Sequence, residues 1–327
     1  MDRRAVGDSG LQVSRLGLGT LTWGRDVAPV QARALLNRFV EAGGSLVDTA
    51  AAYGNGDAER IIGRVIHTDL TRDDLVIATK GGFGVRDGRR VVDTSRTALL
   101  DDLAGSLRRL HTDHVDLWQL HAWGAAPLEE SLAAIDHAVS MGMVRYAGVS
   151  NFVGWQTAQA ATWQSAFPGR APMVSTQVEY SLLARRAEVE VLPAVRALGL
   201  GFFAWSPLGR GALTGKYRTG IPADSRGAAD HFAWFVEPYL EQRSRAVVDA
   251  VARAAAGLGL ETAQVAWLWL RDAPAVTAGL LGARTPSQLA SYLDVEDEVL
   301  PPEIVSALDD VSGGPNQGRP EVAAPVA

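Results

Sequence analysis

The sequence predicts a single (β/α)8 TIM barrel over residues 1–310, and three observations lead there. Short apolar runs alternate along the chain with stretches whose apolar residues recur at helical spacing. That alternation implies right-handed βαβ crossovers and a parallel sheet. Eight such units suit a closed barrel better than an open sheet, and 327 residues fall within the range that barrels reach with insertions.

Taken in order, the chain opens on an expected β-hairpin, 4–6 and 11–14 around the turn Gly7-Asp8-Ser9-Gly10, placed to plug the barrel floor. Strands follow at 15–20, 45–49, 74–80, 114–121, 144–150, 173–180, 201–207 and 276–283, each a short apolar run. Between them the helical period appears at 29–42, 57–66, 95–110, 128–141, 188–198, 241–258 and 262–271. Two segments break the rhythm. Residues 208–240 form a long connection after the seventh strand, rich in glycine and aromatics (Tyr217, Phe232, Trp234, Phe235, Tyr239), and are expected to be a functional lid. From Val311 the sequence VSGGPNQGRPEVAAPVA has the Pro/Gly content of a flexible tail, 311–327.

The competing architecture is an open dinucleotide-binding sheet, which carries G-x-G-x-x-G after its first strand. Here Gly17 and Gly19 are followed by Thr22 where the third glycine belongs, and Gly54-Asn55-Gly56 continues to Glu59. Neither is the fingerprint.

Composition narrows the function. With 47% hydrophobic and 21% charged residues the chain has ample apolar surface to bury. A net charge of −6 without a Lys/Arg stripe argues against nucleic acid as partner. The absence of cysteine excludes disulfides, thiolate nucleophiles and zinc-thiolate sites, and fits a reducing compartment. No signal-like or membrane-length apolar stretch occurs, so a cytoplasmic protein without a membrane partner is expected.

In such a barrel the chemistry sits at the carboxyl ends of the strands. The second strand ends in Asp48, the third in Lys80, the fourth in His121 and the fifth in Ser150-Asn151; Gln177 lies near the end of the sixth, and Trp205-Ser206 close the seventh. Five residues after Asp48 stands Tyr53. A phenol with an ordinary pKa of about 10 exchanges protons poorly at neutral pH, but a neighbouring ammonium stabilises the phenolate and lowers that value. Lys80 is the ammonium in reach, and Asp48 can hold Lys80 charged and in place. His121 is placed to hydrogen-bond a substrate oxygen or share the proton with Tyr53.

The segments GLGT (17–20), DTAAAYGNGDAE (48–59), ATKGG (78–82), DLWQLH (116–121), GVSN (148–151), QVEYSLL (177–183) and WSPLGRGALTGKY (205–217) together resemble the aldo-keto reductase superfamily. The branch they resemble includes bacterial reductases and potassium-channel β-subunits. The resemblance implies hydride transfer from bound NADPH to a small carbonyl substrate, an aldehyde or a ketone. Tyr53 would be the acid/base, completed by Lys80, Asp48 and His121. Ser150, Asn151 and Gln177 would hold the nicotinamide carboxamide, with Trp205 stacked on its ring. Ser206, Leu208, Lys216 and Arg226 match positions that wrap the pyrophosphate and ribose, and Gly19, Thr20, Leu21, Asp48, Pro207 and Gly209 would also contact the cofactor. Gly282, Arg284 and Gln288 match the adenosine end, where a guanidinium fork suits a 2′-phosphate. The family's Glu-Asn pair for adenine is replaced here by Ser291-Tyr292. The channel β-subunits imply a second role for this architecture, a cofactor-binding interaction module with slow chemistry.

Other motifs carry less. Residues 209–217 lack the glycine spacing of a phosphate loop, and Tyr217 stands where a magnesium-binding hydroxyl would. His111 and His114 begin a strand without any metal-binding pattern, so no metal is expected. Gly148-Val149-Ser150-Asn151-Phe152 lacks the closing glycine of a nucleophile elbow. Trp155, Trp163, Trp267 and Trp269 read as core or helix-face residues. Trp23, Phe83 and Trp123 follow the first, third and fourth strands on the catalytic rim and are candidate walls of a substrate pocket. The sequence gives no reading of oligomeric state.

Overall fold

The computed structural model of the chain describes residues 1–86 and 89–313. Eight parallel strands, β1 (Leu16–Gly19), β2 (Leu46–Asp48), β3 (Val76–Gly81), β4 (Val115–Leu120), β5 (Val144–Ser150), β6 (Met173–Glu179), β7 (Gly201–Trp205) and β8 (Ala278–Leu281), close into a barrel in sequential order. The register aligns Gly19 with Asp48, Asp48 with Ala78, and Lys80 with Gln119, which brings consecutive strand ends to one rim.

Side chains facing the barrel axis, among them Leu46, Ala78, Leu117, Val174, Phe203, Ala278 and Leu280, form an inner core. Val6, Leu11 and Val13 join it from the expected hairpin, Arg3–Ala5 with Gln12–Ser14. Ser14 Oγ accepts the N–H groups of Ser45 and Leu46 at 3.0 and 3.1 Å, which seats the hairpin at the start of β2. Its turn needs Gly7: φ is +56°, and a Cβ there would lie 2.2 Å from the Gly199 carbonyl. Arg4 Nη1 donates to the carbonyls of Arg271 and Val276 at 2.9 and 2.7 Å, tying the hairpin to the approach to β8. A second, larger apolar core lies between the barrel and its helices.

The expected helices are present, with bounds shifted by a residue or a few: Pro29–Glu41, Asp57–Val65, Arg96–Leu110, Leu128–Ser140, Val191–Leu198, Gln242–Leu258 and Thr262–Arg271. Three further helices have weaker signatures in the sequence. Gly154–Ser165 buries Gly154, Thr157, Ala160, Ala161 and Gln164, a face too small and polar to read as an apolar stripe. Pro286–Leu293 and Pro302–Ser312 follow β8. Val311 and Ser312 thus form the end of a helix, while the rest of the expected tail, from 314, lies outside the described residues.

After β3 the chain makes an additional antiparallel hairpin, Phe83–Arg86 with Arg89–Val92. The 208–240 connection is built from short turns and the helix Ala233–Val236, with Phe232, Phe235, Val236 and Tyr239 buried. Of the four tryptophans read as core or helix-face, Trp267 and Trp269 are core and Trp163 packs against it, whereas Trp155 is 57% exposed.

Candidate active site

Asp48 is the last residue of β2, and its carboxylate is buried. Lys80 comes from the next strand and is 1% exposed, so its ammonium needs partners within the protein. It finds them: Nζ donates to Asp48 Oδ1 and Oδ2 at 2.8 and 2.7 Å and to the Thr49 carbonyl at 2.9 Å. Its remaining contact is the Tyr53 hydroxyl, at 3.4 Å. Gln177 Nε2 donates to Asp48 Oδ1 at 2.8 Å, so the carboxylate is held from a third strand as well. His121 follows β4, its ring centroid 5.9 Å from that of Tyr53 and 5.3 Å from that of Phe83. The structure therefore brings all four candidate catalytic residues to one point.

Burial sets the protonation of this cluster. The Tyr53 phenol stands above its ordinary value because burial disfavours the phenolate; Lys80 opposes this and Asp48 reinforces it. The lowering expected from Lys80 is present, but burial outweighs it, and the hydroxyl is a protonated donor at neutral pH. Burial would depress Lys80, yet Asp48 and Tyr53 together more than offset it, leaving the ammonium above the usual lysine value. Burial, then repulsion from Lys80, holds His121 well below the ordinary histidine range, so its ring is neutral.

Next to the cluster, Trp205 Nε1 donates to Asn151 Oδ1 at 3.0 Å, while Asn151 Nδ2 donates to the His121 carbonyl at 2.9 Å. The indole orientation is thus fixed from β5. Asn151 and Ser206, at the exits of β5 and β7, have φ of +57° and +53°. Left-handed backbone is uncommon for non-glycine residues and gathers at functional sites.

These groups open onto a cavity of about 680 Å³, within the range of sites for small molecules and cofactors. Its wall includes Asp48, Tyr53 and His121, and also Gly19, Thr20, Leu21, Ser150, Asn151, Gln177, Trp205, Ser206, Pro207 and Leu208. Lys216, Arg226, Gly282, Arg284 and Gln288 line it too. Lys80 sits behind Asp48 and Tyr53, and Gly209 is buried against Leu183; neither lines the cavity. Trp23 is wholly buried, Phe83 lies against His121, and Trp123 packs on Phe152 and Trp155; all three are off the cavity wall.

Lys216, Arg226 and Arg284 form a cluster of like charge. Lys216 is pushed down to about 8, first by burial and then by Arg226 and Arg284. Arg226 is likewise lowered, chiefly by burial. Beside it, Ser225 Oγ is buried on the cavity wall without a hydrogen-bond partner. Asp224, on the same wall, offsets part of the repulsion at Lys216, and an anion in the cavity would relieve the rest. Among the described residues no group of His, Asp and Glu is placed to hold a metal ion.

The structure adds residues that the motifs did not single out. Arg210, buried with φ +56°, donates to both oxygens of Glu179 at 2.8 and 2.6 Å and to the Phe235 carbonyl at 2.8 Å. Its guanidinium carbon lies 3.9 Å from the Phe235 ring centroid, and Phe235 lies near-parallel to Trp205 at 6.5 Å. Arg210 thereby fastens the 208–240 connection beside the indole. Glu261 also lines the cavity and accepts from Ser291 Oγ at 2.9 Å. The only sequence signal for Glu261 was Ser291-Tyr292 in place of Glu-Asn.

The chain is similar to known proteins over nearly its whole length. The chain is 35% identical to an uncharacterized oxidoreductase, YrpG, of Bacillus subtilis (strain 168), over 99% of this chain and 100% of the relative. It is 35% identical to a probable voltage-gated potassium channel subunit beta of Oryza sativa subsp. japonica, over 95% and 96% of the two chains. It is 29% identical to the aldo-keto reductase YhdN of Bacillus subtilis (strain 168), over 90% and 88%. The profile of the Aldo/keto reductase family matches residues 15–312. With the closed barrel and these relatives across its length, the chain belongs to the aldo/keto reductase family of oxidoreductases.

Proposed function

We propose that this protein is an NADP(H)-dependent reductase that converts an aldehyde or ketone to the alcohol, with Tyr53 as the proton donor. One observation carries the reading: the buried Asp48–Lys80–Tyr53 relay opens onto the same cavity that holds Lys216, Arg226 and Arg284. The three cations and the free Ser225 hydroxyl suit phosphates, and Arg284 in particular suits a 2′-phosphate. The flat face of Trp205 suits a nicotinamide ring. When bound, the cofactor supplies the hydride that reduces the carbonyl carbon.

The residues do the rest. Trp205, oriented by Asn151, would offer the nicotinamide ring a flat support. Neutral His121 orients the carbonyl oxygen. Tyr53 gives its proton to that oxygen, and the ammonium of Lys80, 3.4 Å away, stabilises the phenolate left behind. Asp48 keeps Lys80 charged and aimed. Replacing Tyr53 by Phe tests the assignment: turnover of 4-nitrobenzaldehyde should fall by about 10²- to 10⁴-fold with NADPH affinity unchanged. Turnover near wild type would mean another group is the acid.

The likeness to the rice protein favours a second reading, a cofactor-binding interaction module with slow chemistry. A partner captured only with, or only without, NADPH in a pull-down followed by size-exclusion chromatography would support it.

A further inference from the structure

We propose that Glu59 is a positioning residue for Tyr53, clamping the tyrosine-bearing segment to the outer face of β3; this rests on the reading of Tyr53 as the acid. The segment is held by three consecutive residues of that strand. Upstream of Tyr53, the N–H of Thr49 donates to the Ala78 carbonyl at 2.8 Å and that of Ala51 to the Lys80 carbonyl at 3.1 Å. Downstream, Thr79 Oγ1 donates to Glu59 Oε1 at 2.6 Å. Successive strand side chains face opposite ways. Lys80 therefore enters the barrel and meets the Tyr53 hydroxyl from inside, while its neighbour Thr79 grips the helix Asp57–Val65 from outside.

Glu59 has no exposed surface, and its second oxygen accepts from Arg109 Nε at 2.7 Å. Arg109 in turn donates to Ser106 Oγ at 3.2 Å. A buried carboxylate with both oxygens engaged fixes the strand and both helices in one arrangement.

The backbone between Tyr53 and Glu59 gives this clamp its task. Gly54, Asn55 and Gly56 have φ of +57°, +52° and +87°, three left-handed residues in succession, one of them not glycine. Such a run persists where its surroundings over-determine it. Arg109 supports it directly, since a Cβ on Gly56 would lie 2.5 Å from Arg109 Cδ. None of Glu59, Thr79 and Arg109 lines the cavity, so an effect on turnover would have to pass through Tyr53.

The test is Glu59→Gln, Glu59→Ala, Thr79→Val and Thr79→Ser in the full chain beside Tyr53→Phe. The readouts are kcat and KM for 4-nitrobenzaldehyde across pH, NADPH affinity by tryptophan fluorescence, and Tm. Thr79→Val and Glu59→Ala should lose roughly tenfold or more in kcat. NADPH affinity should stay within about twofold, and the alkaline limb of the pH–kcat profile should move up as Lys80 loses its hold on the phenol. Thr79→Ser, which keeps the hydroxyl, should restore kcat, and Glu59→Gln should fall less than Glu59→Ala. Variants that lower Tm but keep wild-type kcat and pH profile would overturn the clamp. If Glu59→Ala does not fold, the Thr79 pair decides. A dead Tyr53→Phe beside unchanged clamp variants refutes the clamp alone; an active Tyr53→Phe refutes the acid and the clamp together.

Discussion

Replacing Lys80 by Met should destabilise the fold strongly, and restoring charge balance should recover much of the loss. Nζ lies 2.7 Å from Asp48 Oδ2, and neither side chain reaches solvent appreciably. At an effective dielectric of about 20 that separation corresponds to roughly 6 kcal/mol of attraction, much of it offset by the dehydration of both ions. Removing the lysine leaves that dehydration cost with only the Gln177 amide to answer it. Breaking a buried pair in this way costs about 3–5 kcal/mol. An unfolding entropy of about 2.1 cal/mol/K per residue over 327 residues gives roughly 0.7 kcal/mol/K, so Tm should fall by about 4–7 °C. Thermal unfolding of Lys80→Met, Asp48→Asn and the double variant measures it. The double variant should be more stable than Lys80→Met, because no buried charge is left alone. A loss below about 1 kcal/mol, or a double variant whose loss is the sum of the singles, would refute the argument that the pair is held by mutual compensation.

Lys216 predicts a pH dependence of cofactor binding. Its pKa of about 8 in the free protein should rise against a phosphate, so binding near pH 8 should take up protons. NADPH affinity should then be fully present below about 8 and decline above it, by up to tenfold per pH unit. Calorimetry in two buffers of different ionisation enthalpy checks this, and Lys216→Met should abolish the proton uptake. Arg210→Met should loosen the Phe235 segment while leaving Glu179 without its partner, and speed NADPH release by about tenfold or more in stopped-flow fluorescence. Gly63→Ala should cost about 1–3 kcal/mol in denaturant unfolding, because the new Cβ would fall 2.4 Å from the Arg109 carbonyl and force two helices apart.

The barrel was legible because each strand is a short apolar run ending in a chemically distinct residue. Asp48, Lys80 and His121 could be found from strand position alone, since the parallel register brings like ends together. Less legible was whatever depends on burial or on contacts remote in sequence. The net rise in the Tyr53 pKa required knowing how dry the site is. Arg210 looked like one basic residue in a glycine-rich stretch until Glu179 and Phe235 were seen around it. The helix Gly154–Ser165 carries no apolar stripe, because its inner face is glycine, alanine, threonine and glutamine. Glu59 appeared as the end of a failed glycine fingerprint, and nothing in the linear order links it to Thr79 or Arg109.

The hairpin that closes the barrel floor has a consequence for the order in which the chain assembles. Its Arg4 bonds carbonyls 267 and 272 residues away, and β1 pairs with β8. On a ribosome these partners emerge only after all the intervening strands, so β1 must wait, unpaired along one edge, until β8 is made. Contacts of that separation slow folding and prolong exposure of sticky strand edges. Refolding should accordingly pass through an intermediate with an open sheet, and the hairpin residues should be among the last to gain protection from hydrogen exchange.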